Sequence, residues 1–351
     1  MKQNRPLFSI CIPQYNRTQF LIRCIESIAA QTFRDVEVCI SDGGSTDGGF
    51  NEIDGCLRGS GLEYTFVRSD ENMPYDRNLR CAISLSRGQY VFLMGNDDEL
   101  SDESVLQFIA VQLGRYTDVV SVVTNYCELS THTIYRRMRK FGVVGSGPAC
   151  AALTFRHYAF VSGIVFNGPM ARMAATDSVD GSEMYQMYVG THLVASGGAF
   201  LGIDRVCINK DIQIPGQVVD SYRSRQKENG WPIRTRPLPL GRILHTVWIG
   251  AEAGAGAAAS RQVAAKVSHQ LYLYTYPFWI FEYRRVQSFG YAVGVYLALR
   301  PSEAGRAVPL ALSDRIVNWS LYVINGVIAS MLPLRLFDFI RPLLYCLAKR
   351  A

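Results

Sequence analysis

Three short polar segments, each following an apolar run, hold the residues best suited to chemistry in this chain. They are Pro13-Gln-Tyr-Asn-Arg17, Ser41-Asp-Gly-Gly-Ser-Thr-Asp-Gly48 and Gly95-Asn-Asp-Asp-Glu99. In the third, Asn96, Asp97, Asp98 and Glu99 crowd hard oxygen donors at one strand end, an arrangement that a divalent cation relieves. Mg²⁺ and Mn²⁺ prefer such ligands, and Mg²⁺ takes few protein carboxylates when phosphate oxygens complete its shell. On extended backbone Asn96 and Asp98 share one face while Asp97 points elsewhere. The competing use is helix capping by Asp98, Glu99, Asp102 and Glu103; it leaves unexplained why the polar run starts on the strand end itself. In the second segment Asp42 can accept hydrogen bonds from a ribose or a base edge, with glycines permitting close approach, although an ordinary Asp/Gly turn has the same composition. In the first, Tyr15 can stack on a flat base and Arg17 can meet phosphate, or Thr18 can simply cap a helix. Arg77 and Asn78 add a polar pair near the start of a further helical stretch, where a surface salt bridge is the plain alternative.

These segments need a scaffold that delivers them to one place. Residues 7–12, 35–41, 63–69, 89–95 and 118–124 are rich in Val, Ile, Phe and Tyr and read as strands. Between the first two, residues 18–32 set Phe20, Leu21, Cys24, Ile25, Ile28 and Ala29 on one helical stripe. Residues 75–87 and 101–113 repeat that periodicity. Strand–helix alternation predicts an α/β fold with a mostly parallel sheet flanked by helices, whose ligands bind beyond the carboxyl ends of the strands. A strand is also expected at 160–166 and a helix at 183–197. The stretch 220–240 mixes charge with proline and reads as a boundary, giving a first domain at 1–220 and a helical region at 221–351.

The 351 residues are 48% hydrophobic and 19% charged, which suits a folded chain with a sizeable core. The net charge of +6 is modest and points away from nucleic acid. Nine cysteines, an odd number with no CxxC, indicate neither a disulfide framework nor a zinc site, and reduced thiols in a cytosolic setting are the simpler reading. No histidine pair has metal-ligand spacing. The N-terminus lacks the long apolar run of a secretory signal.

Taken together, SICIPQYNRTQFLIRCIESIAAQTFRDVEVCISDGGSTDG (9–48) and ENMPYDRNLRCAISLSRGQYVFLMGNDDEL (71–100) resemble the nucleotide-sugar domain of family 2 glycosyltransferases, which have the GT-A fold. By that resemblance Pro13, Tyr15, Asn16 and Arg17 flank the nucleotide, Asp42 holds the base or ribose, and Arg77, Asn78 and Asp97 lie beside the donor. Asn96-Asp97-Asp98 stands in place of the family's metal-binding D-x-D, with Asp98 the main ligand of Mn²⁺ or Mg²⁺ and Asn96 an uncharged departure. The resemblance implies inverting transfer, in which a carboxylate takes a proton from the acceptor hydroxyl. The family commonly supplies it from a Glu-Asp pair; this chain has Asp177-Ser-Val-Asp180-Gly-Ser-Glu183 instead, so Glu183 is the first candidate and Asp180 the second, against their use as a capping box.

The implied activity is transfer of one sugar from a nucleotide-sugar donor to a glycan, carried on polyprenyl diphosphate, in synthesis of a bacterial surface polysaccharide. O-antigen side-branch transferases of the abequosyltransferase kind give the nearest likeness. A nucleotidyltransferase would also use an acidic rim, and a silent glycan-binding or scaffold protein would tolerate Asn96 and the missing Glu-Asp pair. Val317–Leu334 carries no charge but is interrupted by Asn318, Ser320, Asn325, Ser330 and Pro333, which makes it a poor membrane span. From Arg300 onward seven basic residues face three acidic ones, with leucines and phenylalanines between them. Such helices are expected to lie in the membrane interface, peripheral on the cytoplasmic face of the inner membrane. Packing on the catalytic domain or on a second subunit, as in a homo-oligomer, is the alternative. The aromatic run Tyr272–Tyr283 is open between core and interface.

Overall fold

The computed structural model describes residues 5–217, 240–286 and 289–348. Two compact units divide the chain, Met1–Val219 and Asp220–Ala351. The boundary expected at 220/221, the charged stretch 220–239, and Lys349 and Arg350 lie outside the described residues.

In the first unit, strands β1 (Phe8–Gln14), β2 (Val36–Asp42), β3 (Glu63–Arg68) and β4 (Tyr90–Leu93) pair in parallel in the order β3-β2-β1-β4. Every residue of β1, β2 and β4 is buried, as parallel strands covered on both faces require. Helices α1 (Thr18–Ala29), α2 (Phe50–Gly59) and α3 (Tyr75–Ser84) connect them. The predicted stripe of α1 packs inward through Phe20, Leu21, Cys24, Ile25 and Ile28. Helix α2 has no strong sequence signal, because Gly55 and Gly59 weaken it; Ile53 and Leu57 bury its inner face.

Beyond β4 the chain adds β5 (Glu99–Leu100), α4 (Val105–Leu113), β6 (Val119–Glu128), β7 (Thr133–Tyr135), β8 (Gly142–Ser146), α5 (Gly147–Thr154), β9 (Ile164–Asn167), α6 (Gly168–Met173), α7 (Tyr185–Ala195) and β10 (Ala199–Lys210). The full order is β3-β2-β1-β4-β9-β6-β10-β5, with β7 on β6 and β8 on β10. The structure is thus the expected α/β fold with a parallel centre, and β9 enters antiparallel between β4 and β6. Periodicity shows that a strand exists there, but not where it inserts.

Two local differences matter for the site. Residues 101–104 do not begin α4; β5 pairs with β10 first, and Asp102 Oδ1 then accepts from the Ser104 N–H (2.9 Å). Asp102 thus fixes the residue that precedes α4, whose N-cap Ser104 makes no side-chain capping hydrogen bond. Residues 160–163 are not strand either. They wrap Arg137, whose buried guanidinium donates to the carbonyls of Thr124 (2.7 Å), Phe160 (2.7 Å) and Ser162 (2.7 Å). Burial pulls this group down to about 10, so it stays charged at neutral pH. We expect Arg137→Ala to cost about 2–3 kcal/mol, because carbonyls left buried without donors cost roughly 1–3 kcal/mol each. A fall in the urea midpoint measures it; an unchanged midpoint would refute the role.

The second unit is helical. Three residues of its aromatic run are core: Tyr272, Tyr276 and Phe281 are buried, Tyr276 stacks on Tyr322 (5.2 Å) and Phe281 on Phe337 (3.7 Å).

Candidate active site

The three polar loops meet at one rim of the sheet, and Gln14, a residue not singled out from the sequence, joins them. Its side-chain Nε2 donates to the Asn16 carbonyl and its Oε1 accepts from Asn96 Nδ2 (2.7 Å). Its own carbonyl accepts from Asn78 Nδ2 (2.8 Å) and from the Gly43 N–H (2.8 Å). Pro13 is buried one residue earlier on β1, while Tyr15 stands exposed beside it.

Asn16 and Arg17 are both left-handed (φ 53° and 62°), a costly conformation for consecutive non-glycine residues. The second loop stabilises it. Ser45 Oγ accepts from the Asn16 N–H (2.7 Å) and Asn16 Oδ1 from the Thr46 N–H (2.8 Å). Asp47 accepts from the backbone N–H (3.1 Å) and the hydroxyl (2.8 Å) of Thr18. Thr18 therefore does not cap α1; Asp47 does. The SDGGSTDG loop is a brace for the first loop rather than a free turn.

This backbone carries the Arg17 guanidinium onto the Asp97 carboxylate in an ion pair with both side chains partly exposed. Asp98 is placed differently. It is 2% exposed, its Oδ2 accepts from the Ser162 hydroxyl, and its Oδ1 accepts from the Asp211 N–H (3.0 Å). Burial, then the neighbouring Asp97, pushes Asp98 up to about 8. Asn96, expected to share a metal with Asp98, turns its amide to Gln14. The alternation on which Asn96 and Asp98 were assigned assumed extended backbone, but residues 95–98 form a turn, closed by Asp98 N–H to the Gly95 carbonyl (3.4 Å). Asp97 is thereby the carboxylate left at the rim.

Asp42 lies at the carboxyl end of β2, 1% exposed. Its Oδ1 accepts from the Ser45 N–H (2.8 Å), while its Oδ2, Ser41 Oγ and Asn78 Oδ1 lack a protein partner. Asn78 is buried on α3 and Arg77 is exposed on it, so these neighbours do not act as one pair.

The two base candidates also separate. Asp180 is held by Arg80, whose Nη1 and Nη2 reach its two oxygens (2.9 Å for the second), and Arg80 also donates to the Thr176 carbonyl (2.7 Å). Glu183 is exposed, and its carboxylate makes no hydrogen bond among the described residues. Its backbone is left-handed (φ 59°) and is fixed by Asp76 of α3, which accepts from the N–H groups of Glu183 (2.8 Å) and Tyr185 (2.9 Å). Asp76 thus does what the capping reading assigned to Asp180. Tyr75, beside it, donates to Gln186 Oε1 (3.2 Å). Burial, and the neighbouring carboxyl groups of Asp76, Asp97, Asp98 and Glu183, push its phenol up.

A divalent cation fits this set in a limited way. Among the described residues no group of three or more His, Cys, Asp and Glu gathers to cage one. Asp97 alone, partly exposed and already facing a cation, suits an ion whose other ligands come from phosphate and water.

Comparison with known proteins agrees with the geometry. Residues 9–166 match the model named Glycosyl transferase family 2. The abequosyltransferase RfbV of Salmonella typhimurium is 39% identical over 115 residues, 32% of this chain; the chain spans about a third (34%) of that relative's length. Among solved structures, S. aureus TarS residues 1–349 with UDP-GlcNAc has a TM-score of 0.57 at 12% identity, covering 92% of this chain and 90% of that one. The mannosyltransferase PcManGT of Pyrobaculum calidifontis with GDP-Man and Mn²⁺ has a TM-score of 0.50 at 15% identity, covering 93% and 88%. At those identities the structures speak for the fold alone. The matched residues, 9–166, thus form a glycosyltransferase family 2 domain.

Proposed function

We propose that this protein transfers one sugar, with inversion, from a nucleotide-sugar donor to a glycan acceptor. The observation that carries the reading is the joining of three strand-end loops into one hydrogen-bonded rim that presents Arg17 and Asp97 together. In this reading the unpartnered Asp42 Oδ2 accepts a donor group from base or ribose, and Tyr15 stacks on the base. Asp97 would hold Mn²⁺ or Mg²⁺. When bound, the metal supplies Lewis-acid stabilisation of the charge that develops on the leaving group. Arg17, released from Asp97, meets the same phosphates bidentately. Asp98, Asn96 and Gln14 would fix the turn that aims Asp97.

Glu183 takes the proton from the acceptor hydroxyl as its oxygen bonds to the anomeric carbon and the bond to the diphosphate breaks, releasing nucleoside diphosphate. Asp76 is its positioning residue. The likeness to RfbV and the basic, apolar C-terminal unit support a lipid-linked acceptor of a bacterial surface polysaccharide, reached at the inner face of the cell membrane.

The test is a panel of nucleotide sugars, assayed for binding with and without Mn²⁺ and for release of nucleoside diphosphate. Turnover of one donor is the expected result. Release of pyrophosphate from a nucleoside triphosphate would make the protein a nucleotidyltransferase, and binding of glycan without turnover a lectin-like scaffold.

A further inference from the structure

The helix Leu312–Met331 has its polarity reversed for a chain in water. Its inward stripe is Asn318, Tyr322, Gly326 and Ala329, all buried. Asn318 Nδ2 donates to Ser268 Oγ (3.1 Å), and from an adjoining position Asn325 Nδ2 donates to the Tyr272 carbonyl (3.0 Å). The Tyr322 hydroxyl donates to the Tyr296 carbonyl (2.7 Å). Gly326 is required there, since a Cβ would stand 2.2 Å from the Tyr296 ring. Two of the residues that break up the linear apolar run are therefore spent inside the unit.

What remains outside is apolar. Leu312, Ile316, Trp319, Val323, Val327 and Met331, at spacings of three and four, are 43–74% exposed. No charged side chain interrupts the helix between Ile316 and Met331. Arg335 and Phe339, both exposed, follow on the next helix, Leu334–Ala348, with Phe339 82% exposed. A continuous apolar face of this length marks a docking surface rather than scattered surface residues.

We propose that this face docks on an anionic lipid surface, with the helix lying in the interface. Charge selects this occupant over a second copy of the chain. The segment from Arg300 carries seven basic against three acidic residues, so two copies would repel where an anionic headgroup layer attracts. A tryptophan within the apolar face and arginine at its end are the residues that the interface favours. Among the described residues no helix is long and apolar enough to cross a membrane, so the face lies on the bilayer rather than spanning it. The docking does not rest on the transferase reading: it needs no sugar nucleotide, and turnover on a soluble acceptor needs no lipid.

The experiment uses the full chain with vesicles containing phosphatidylglycerol, against pure phosphatidylcholine. We expect co-sedimentation with the anionic vesicles, weakened by high salt, and a blue-shifted emission that disappears in Trp319→Phe. The double variant Val323→Glu/Val327→Glu should lose at least tenfold in vesicle affinity while keeping its helical circular dichroism, because both positions face outward. Two results would overturn the proposal. One is a wild-type chain that stays in the supernatant, including the case where sedimentation velocity shows a dimer that the double variant abolishes. The other is a folded double variant that pellets like wild type. If the double variant fails to fold, the Trp319 emission in the otherwise intact chain decides between the same two outcomes.

Discussion

Asp97→Asn is expected to lower kcat/KM for sugar transfer by about 10³-fold, at the upper end of the roughly 10²–10³ lost when one preorganised stabilising group is removed. The reason is its place at the rim: it is the acidic side chain that Arg17 meets, and it would lie against the donor diphosphate. The matching variant is Asp98→Asn. Its carboxylate is buried between Ser162 and the Asp211 N–H, and burial favours its neutral form, which an amide imitates closely. We expect Asp98→Asn to keep transfer within about tenfold, with any loss appearing as reduced stability from an imperfect hydrogen bond. Mn²⁺ titration of the two variants by donor-dependent turnover separates them. Equal losses would return the metal to Asp98, and a fully active Asp97→Asn would remove the metal site from this turn.

Glu183→Gln should lower kcat by roughly 10²–10⁴, the usual contribution of a positioned general base, while leaving donor affinity unchanged. Glutamine keeps the size and the strained backbone but cannot take the proton. Asp180→Asn is the internal control. It weakens a partly exposed ion pair with Arg80, worth at most about 1 kcal/mol, and should change kcat by less than tenfold. Single-turnover rates with donor binding measured separately make the comparison. If Asp180→Asn is the variant that stops turnover, then Arg80 releases that carboxylate on substrate binding and the assignment reverses.

Local pattern was enough for the scaffold. The strands from β1 to β4 and α1 were legible because a parallel strand buried on both faces must be continuously apolar, and a helix on it must carry a stripe of period 3.6. The three polar loops were legible for the same reason: they are what stands at the ends of those runs. Which side chain in each loop faces the ligand was not. The i, i+2 rule that selected Asn96 and Asp98 holds for extended backbone, and residues 95–98 turn. That turn is set by Ser162 and Asp211, which lie 64 and 113 residues away from Asp98 in the chain.

The base region shows the same division. A capping pattern at 180–183 was visible, yet the cap comes from Asp76 on another helix, and this frees Glu183 while Arg80 occupies Asp180. At the C-terminus the count of basic and apolar residues suggested a membrane surface, and the aromatic run 272–283 stood as a candidate for it. Packing assigned Tyr272, Tyr276 and Phe281 of that run to the core and turned the outer face of Leu312–Met331 to solvent. Composition and period thus determine the strands from β1 to β4, the stripe of α1 and what chemistry the loops contain. The direction in which each polar group points was decided only by partners far away in sequence, because a carboxylate is held by whichever hydrogen-bond donors the assembled fold brings to it.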